Sequence, residues 1–233
     1  MNTEIDTALF EKLALCDSCS VANAVDATGM RLSNEGFSDS RVACRTPGLR
    51  PMVGTVVTLK VRSADPPMKT AFYLDHPDWW ELLTAGTMPR ILAVEDVDAR
   101  PGKGSLVGPV HACILKALGF VGVVTNGAIR GRSSFESIGL NAYAGNVSPS
   151  HAFSHVVEAG VGVEIAGLRL APGDLLHGDA NGIVSIPSVV AAQVALAAAE
   201  IREREKRICH FCASGKFSKE ALRARMGVDS SRR

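Results

Sequence analysis

The sequence predicts an α/β fold in which helices are layered around a mixed β-sheet, and three observations support this class. Helical apolar periodicity alternates with short β-branched segments through the first half of the chain. After Arg130 the chain is rich in short strand patterns separated by turn residues. The 233 residues, 46% of them hydrophobic, are enough for one domain with a sizeable core. We therefore treat residues 1–233 as a single domain, whose residues 188–233 form C-terminal helices and a tail that pack on the core or on a neighbouring subunit.

The elements of the first half are predicted from local periodicity. Amphipathic and apolar patterns predict helices over residues 4–15, 19–25 and 76–83. β-branched and apolar segments predict strands over residues 52–61 and 91–94. Helices and strands therefore interleave, as they do in a sheet that is covered by helices.

Residues 104–132 predict a loop, a helix, a strand and a turn in that order. Pro109 suits the first turn of a helix, where its missing N–H costs nothing, and the helix then covers residues 110–118. The short apolar segment 122–124, which begins with a glycine, predicts a buried strand, and Thr125-Asn126-Gly127 is expected to end it.

Arg130 follows this strand, at the position where open α/β sheets bind their ligands. The backbone N–H groups of Val110 and His111, at the start of the helix, suit an anion. A clamp for a carboxylate or a phosphate is one interpretation. A surface arginine beside an ordinary buried βα unit is the other, because a fold does not imply a site.

Turn residues divide the second half of the chain into short strands. Residues 162–170 predict two strands around an Ala166-Gly167 turn, and residues 183–186 predict another strand. Asp174 and Asp179 lie in turns, where aspartate commonly makes local hydrogen bonds.

A long helix is predicted to begin at Pro187-Ser188, with an alanine-rich apolar part over residues 189–199 and charged residues after it. The alanine-rich side suits close packing, including packing against a second subunit. A shorter helix is predicted over residues 217–226, followed by a disordered end.

The charge and the apolar pattern exclude several classes of function. The formal net charge is +1, which gives no field to attract nucleic acid or an anionic membrane. No segment approaches the roughly 18 consecutive apolar residues of a membrane span, and acidic residues interrupt the N-terminal apolar pattern, unlike in a signal peptide. We expect a cytoplasmic protein that binds neither nucleic acid nor membrane.

Histidine and cysteine patterns are candidate metal sites. His151, His155 and Glu158 would share one face of a helix, although surface or interface histidines are the alternative. The CxxC pairs Cys16/Cys19 and Cys209/Cys212 have ligands that suit zinc, but nearly the whole chain separates them. Reduced cysteines that act as small hydrophobic residues are the alternative for both pairs.

Two motifs resemble the RraA-like family: GFVGVVTNGAIR at residues 119–130 and APGDLLHGDANGIVSIP at residues 171–187. The family includes regulators of ribonuclease E activity and metal-dependent aldolases that act on 4-hydroxy-4-methyl-2-oxoglutarate, and the motifs do not separate the two. The resemblance covers most of residues 15–190. It implies a compact α/β/α sandwich that assembles as a homotrimer, with active sites between subunits.

The activity that the resemblance implies is that of a lyase on 2-oxo acids. Such enzymes cleave 4-hydroxy-4-methyl-2-oxoglutarate or decarboxylate oxaloacetate, giving pyruvate through an enolate that an arginine and Mg²⁺ or Mn²⁺ stabilise. The substrate-binding loop then corresponds to Gly108, Pro109, Val110 and His111, and the arginine to Arg130, which makes Arg130 and His111 the catalytic candidates. The alternative is a non-catalytic trimeric regulator that binds and modulates a partner enzyme.

The chain departs from the family pattern around this site. Gly131 replaces the aspartate that serves the metal in related enzymes, and Ser134 replaces an acidic residue. The loop has Gly108-Pro109 in place of Gly-Glu, and Ala22-Asn23-Ala24 replaces Ser-Asp-Ala near the N-terminus. The metal ligands therefore remain unknown from the sequence. Histidines that are candidate substitutes are His111, His151 and His155.

Overall fold

Nine strands form one mixed, strongly curved and nearly barrel-like sheet within residues 7–67 and 77–226, the parts of the chain that the computed structural model describes. Helices surround this sheet, so the predicted α/β class is confirmed. The strands, including those of a separate β8–β9 hairpin, are β1 (Ala43–Cys44), β2 (Met52–Arg62), β3 (Arg90–Asp96), β4 (Ser105–Val107), β5 (Phe120–Ile129), β6 (Asn141–Val147), β7 (His155–Ala159), β8 (Val163–Ile165), β9 (Leu168–Leu170), β10 (Leu175–Asp179) and β11 (Gly182–Ile186).

The helices lie between these strands and at both ends of the described chain. They are α1 (Thr7–Ala14), α2 (Ser18–Thr28), α3 (Pro77–Thr84), α4 (Pro109–Ala117), α5 (Arg132–Ile138), α6 (Ala191–Ala213) and α7 (Lys219–Met226), with a 3₁₀ turn at Ser188–Val190. None of the helices in the described ranges is long and apolar enough to cross a membrane. The predictions for the first residues, for the start of the third helix at His76 and for the end after residue 226 fall outside the described residues.

The pairing of the strands sets the position of the candidate site. The strand order β1-β6-β5-β3-β2-β10-β11 contains a parallel centre, since β2, β3, β5 and β6 all run in one direction. The carboxyl ends of β3, β5 and β6 therefore lie at one end of the sheet. The short strand β4 pairs in parallel with the last residues of β5, opposite Ala128 and Ile129.

Separate apolar clusters hold helices and a hairpin on this sheet. One lies between the sheet and α4 and α5, including Leu115 and Phe135, and a second joins α1, α2 and α6 to β10 and β11. The β8–β9 hairpin, with Ile165 and Leu168, packs in a third. Val57 and Val123 pack in the first cluster, whereas Val124 packs in the third. Val123 and Val124 are successive residues of β5, so their side chains enter different layers.

Strand β5 is longer than predicted. The Thr125-Asn126-Gly127 segment does not end it, and the pairing with β6 resumes at Ala128 after a register shift. The side chain of Asn126 donates to the carbonyl of Asp96 at 2.9 Å and accepts from the backbone N–H of Asp96 at 2.7 Å. These two bonds give partners to the backbone N–H and carbonyl of Asp96, on the neighbouring strand β3. Strand β5 therefore continues in an extended form through residues that favour turns.

The prediction that His151, His155 and Glu158 share one face of a helix was wrong. Residues 148–154 form a loop, and His155 and Glu158 lie on β7, which pairs antiparallel with β2. The register of this pairing shifts between Lys60 and Val61, so a bulge interrupts the regular alternation of faces between His155 and Glu158. His151 lies in the preceding loop, so the three side chains do not share the face of a helix.

The alanine-rich part of the C-terminal helix packs within the chain. Ala191, Ala195 and Ala198 are buried on α6 against the layer of α1 and α2, as is Val194. Close packing of this side is confirmed, but the apolar surface that favoured a subunit contact is largely used inside one chain.

Candidate functional site

The end of β5 and the start of α4 meet at the carboxyl end of the sheet. Val107 and Ile129 pair in register, so Gly108 and Arg130 leave two adjacent parallel strands side by side. A Cβ atom on Gly108 would lie 2.9 Å from Nε of Arg130 and 3.3 Å from its Cγ. The arginine side chain therefore crosses directly over the glycine, and a side chain at position 108 would displace it from this position.

Arg130 is partly buried and incompletely satisfied by the protein. Its backbone N–H donates to the carbonyl of Val107 at 3.3 Å, but its Nε has no hydrogen-bond partner among the described residues. A buried donor without an acceptor costs about 1–3 kcal/mol, and more for a charged group. An anion at the guanidinium would remove this cost.

The start of α4 adds backbone donors beside the arginine. Gly108 precedes the helix in an extended conformation, no side chain caps the helix, and Pro109 occupies its first turn. The backbone N–H of Val110 has no acceptor within the helix, since it belongs to the first turn. The helix start and Arg130 thus converge as the sequence predicted, and their function as a clamp stays a prediction.

His111 and His151 lie together near this helix start. Their rings contact edge to face, with centroids 6.2 Å apart. The Nδ1 of His151 donates to the carbonyl of Ser105 at 2.7 Å, which leaves its Nε2 as a proton acceptor. The Nδ1 of His155 donates to the carbonyl of Phe153 at 2.6 Å.

Position 131 cannot supply the expected carboxylate. Gly131 has a φ of +69°, and a Cβ atom on it would lie 2.5 Å from Cγ of Pro109. Within residues 7–67 and 77–226, no three or more His, Cys, Asp or Glu side chains are grouped so as to hold a metal ion. Because Mg²⁺ and Mn²⁺ prefer carboxylate oxygens, the residues around Arg130 do not fit such an ion.

The cysteines of the two CxxC pairs were the other candidate metal ligands. All six cysteines are free thiols; Cys16 is buried, whereas Cys19, Cys209 and Cys212 are exposed. The described structure does not assemble them into a zinc site.

A buried aspartate that sequence reasoning missed supports the loop before the site. Asp96, at the end of β3, is only 2% exposed and accepts from the backbone N–H groups of Gly102 at 2.8 Å and Asp98 at 3.1 Å. Burial raises the pKa of the Asp96 carboxyl above its ordinary value. The signal was available, because an Asp-Val-Asp sequence at residues 96–98 follows the predicted strand 91–94 after a single residue, Glu95.

Asp98 fixes the same loop to the neighbouring strand. It accepts from the backbone N–H groups of Ser63 at 2.7 Å and Ala64 at 2.8 Å, and from the Ser63 hydroxyl at 3.1 Å. Although burial alone would raise it, these hydrogen bonds bring the pKa of Asp98 below its ordinary value. The loop that leads to β4 and Gly108 is therefore held by two carboxylates with opposite pKa shifts.

A family model identifies the family of this chain. The model of the RraA-like family, described as Aldolase/RraA, matches residues 16–185. An uncharacterized protein of Methanocaldococcus jannaschii is 25% identical over 138 residues, which cover 58% of this chain and 66% of that protein. The chain therefore spans just under two thirds of the length of this curated relative.

Solved structures show the same fold. An uncharacterized protein from Pseudomonas syringae pv. tomato superposes with a TM-score of 0.75 at 20% identity, over 96% of both chains. RraAS2 of Streptomyces coelicolor, described as an unusual member of the RNase ES inhibitor RraA family, has a TM-score of 0.67 at 21% identity, over 86% of this chain and 96% of its own. The RNA-processing inhibitor RraA from Thermus thermophilus has a TM-score of 0.52 at 18% identity, over 70% and 92%.

Proposed function

Since the chain belongs to the RraA-like family, we propose that it is a lyase that binds 2-oxo acids at Arg130 and releases pyruvate from them. The observation that carries this proposal is the buried, unpartnered Nε of Arg130 beside the uncapped start of α4. In the part of the chain that the structure describes, the Nε of Arg130 has no acceptor, and the first N–H groups of α4 have none within the helix or from a capping side chain. A small carboxylate supplies acceptor oxygens to both of them.

The simplest reaction for this site is the decarboxylation of oxaloacetate. The bond between C3 and C4 breaks, CO₂ leaves, and the electron pair forms an enolate whose negative charge is on the C2 oxygen. Arg130 stabilises this charge by a charge-assisted hydrogen bond, and the backbone N–H of Val110 holds a carboxylate oxygen. A proton then adds to C3 and gives pyruvate.

His111 is the residue we propose to handle the proton. It lies in the first turn of α4, and its ring contacts that of His151. Its imidazole can protonate C3 of the enolate, or, with 4-hydroxy-4-methyl-2-oxoglutarate, remove the proton of the 4-hydroxyl before the bond between C3 and C4 breaks. That second reaction gives two molecules of pyruvate.

A divalent cation is not part of this proposal. Related enzymes use Mg²⁺ or Mn²⁺ to stabilise the enolate, but the residues around Arg130 do not fit that ion. Arg130 therefore balances the charge without it. We expect slow turnover that a chelator does not reduce.

The second candidate is a non-catalytic regulator that binds a partner enzyme. The glycine at position 131, where the resemblance places a metal aspartate, favours it. For both candidates we propose a cytoplasmic homotrimer. Support comes from the family and from apolar side chains that remain exposed near the site, Val110 at 72% and Val147 at 41%.

The proposal is tested by measuring pyruvate release from oxaloacetate above the spontaneous rate, with EDTA present. We expect release by the wild type and its loss in Arg130→Ala. The matched control is Arg132→Ala, because Arg132 is an exposed arginine whose Nε donates to the Arg45 carbonyl. Equal rates in the wild type and Arg130→Ala would contradict the lyase.

A further inference from the structure

Two dipeptides pack against each other where β5 and β4 end. Gly108-Pro109 leads into α4, and Arg130-Gly131 leads into α5. Arg130 lies over Gly108, and the ring of Pro109 lies over Gly131. Each pair therefore joins one glycine to one bulky neighbour.

The contact between Pro109 and Gly131 leaves no room for a side chain. A Cβ atom on Gly131 would be 2.5 Å from Cγ and 3.0 Å from Cδ of Pro109. A proline ring can change its pucker but cannot swing away as an open side chain can, because it is closed onto the backbone. The backbone of Pro109 is itself held by the first turn of α4, where the N–H of Ala112 donates to the carbonyl of Gly108 at 2.9 Å.

We propose that Pro109 and Gly131 form a steric lock that excludes every side chain, and with it a metal-binding carboxylate, from position 131. The Arg130 site then holds an anion without a divalent cation. This second statement rests on the proposed function, whereas the lock itself does not. Aspartate replacing Gly131 alone would not restore a cation site.

The proposed steric lock is distinct from the general preference for glycine at positive φ angles. Gly131 has a φ of +69°, which aspartate and asparagine tolerate better than other residues. Gly139, at the other end of α5, has a φ of +72°, but a Cβ atom on it would meet only Nζ of Lys116, at 3.7 Å. Gly139 thus has the same backbone conformation without the collision.

The lock is tested by thermal unfolding of alanine variants. Gly139→Ala, the matched control, should lower Tm by about 2–8 °C through its left-handed conformation alone. Gly131→Ala should lower Tm clearly more. In a Pro109→Ala background, the loss caused by Gly131→Ala should fall to that of Gly139→Ala, because only the conformational cost remains.

An equal loss for Gly131→Ala with and without Pro109 would overturn the lock. So would equal losses for Gly131→Ala and Gly139→Ala in the wild-type background. This cycle uses no ligand, so it does not depend on the proposed function.

Mn²⁺ binding tests the exclusion of the cation by electron paramagnetic resonance, in which bound Mn²⁺ loses the signal of the free ion. With no chelating anion added, we expect the wild type and Gly131→Asp to leave Mn²⁺ free. Pro109→Ala combined with Gly131→Asp should bind it. Mn²⁺ binding by the wild type that Arg130→Ala removes, or binding by Gly131→Asp alone, would overturn the exclusion, as would no binding by the double variant.

Discussion

Arg130 and Asp179 are charged side chains at opposite ends of the same sheet, and the protein satisfies them very differently. Asp179 ends β10 and accepts from the backbone N–H and hydroxyl of Ser18, at 2.8 and 2.7 Å, and from the backbone N–H of Asn181, at 2.8 Å. Arg130 directly follows β5, and its buried Nε has no partner among the residues that the structure describes. The hydrogen bonds of Asp179 hold parts of the fold together, whereas Arg130 is the residue that we propose to bind a ligand.

The Asp179 cluster belongs to the attachment of α2. Ser18 begins that helix, and its bonds to Asp179 fix it to the sheet. The buried His177, on the same strand, bonds to the carbonyl of Cys16, just before the helix. These bonds contribute to stability, whereas the buried Nε of Arg130 has no such bond within residues 7–67 and 77–226.

The largest expected effect on stability is that of Asp179→Ala. It leaves the N–H and hydroxyl of Ser18 buried without their acceptor, and we expect a loss of about 2–4 kcal/mol in the free energy of unfolding. Urea denaturation measures it. Asp174→Ala is the matched control, since Asp174 is only partly buried and its side chain accepts one bond, from the N–H of Ala171 at 2.8 Å, so its loss should be about 1 kcal/mol or less. Equal losses of unfolding free energy in Asp179→Ala and Asp174→Ala would contradict the stabilising role assigned to the Asp179 bonds.

A smaller effect is expected from pH through His177. Burial lowers the pKa of His177 below its ordinary value, so between that lowered pKa and about 6.5 the unfolded chain binds a proton that the folded chain does not. The contribution of neutral His177 to the free energy of unfolding should be fully present above about pH 6.5. It should decrease as the pH falls below that value.

His177→Gln tests this assignment, because an amide can replace the neutral ring as a donor to Cys16 but does not titrate. The variant should show a flatter dependence of unfolding free energy on pH between 5 and 7. A wild-type slope that the substitution leaves unchanged would assign the dependence to other groups.

The smallest effect on stability is expected from Arg130→Ala. The substitution removes an unpartnered buried donor, so the free energy of unfolding without ligand should change by less than about 1 kcal/mol. A loss as large as that of Asp179→Ala in urea would mean that Arg130 is a structural residue.

The sequence predicted local features well and contacts between distant segments poorly. The helix after Pro109 and the strand before Arg130 depend on local periodicity and proline placement, and both were confirmed. The helical face of His151 and His155 was wrong, because pairing of β7 with β2 decides that segment. The contact of Pro109 with Gly131 joins the first residue of α4 to the residue before α5, so no continuous motif contains it.

Family membership could also be predicted, because the two motifs form continuous segments of the chain. The unpaired state of Arg130 could not, since it depends on which acceptors the folded chain brings near. The same is true of the buried face of α6, whose partners α1 and α2 lie at the other end of the sequence.

Calorimetric titration with oxalate, a mimic of the pyruvate enolate, tests the anion site most directly. In EDTA, the wild type and Arg132→Ala should bind oxalate equally, and Arg130→Ala should bind it about 10–150-fold more weakly, the loss of one charge-assisted contact of about 1.5–3 kcal/mol. Equal affinity in the wild type and Arg130→Ala would contradict the assignment of Arg130 as the anion-binding residue.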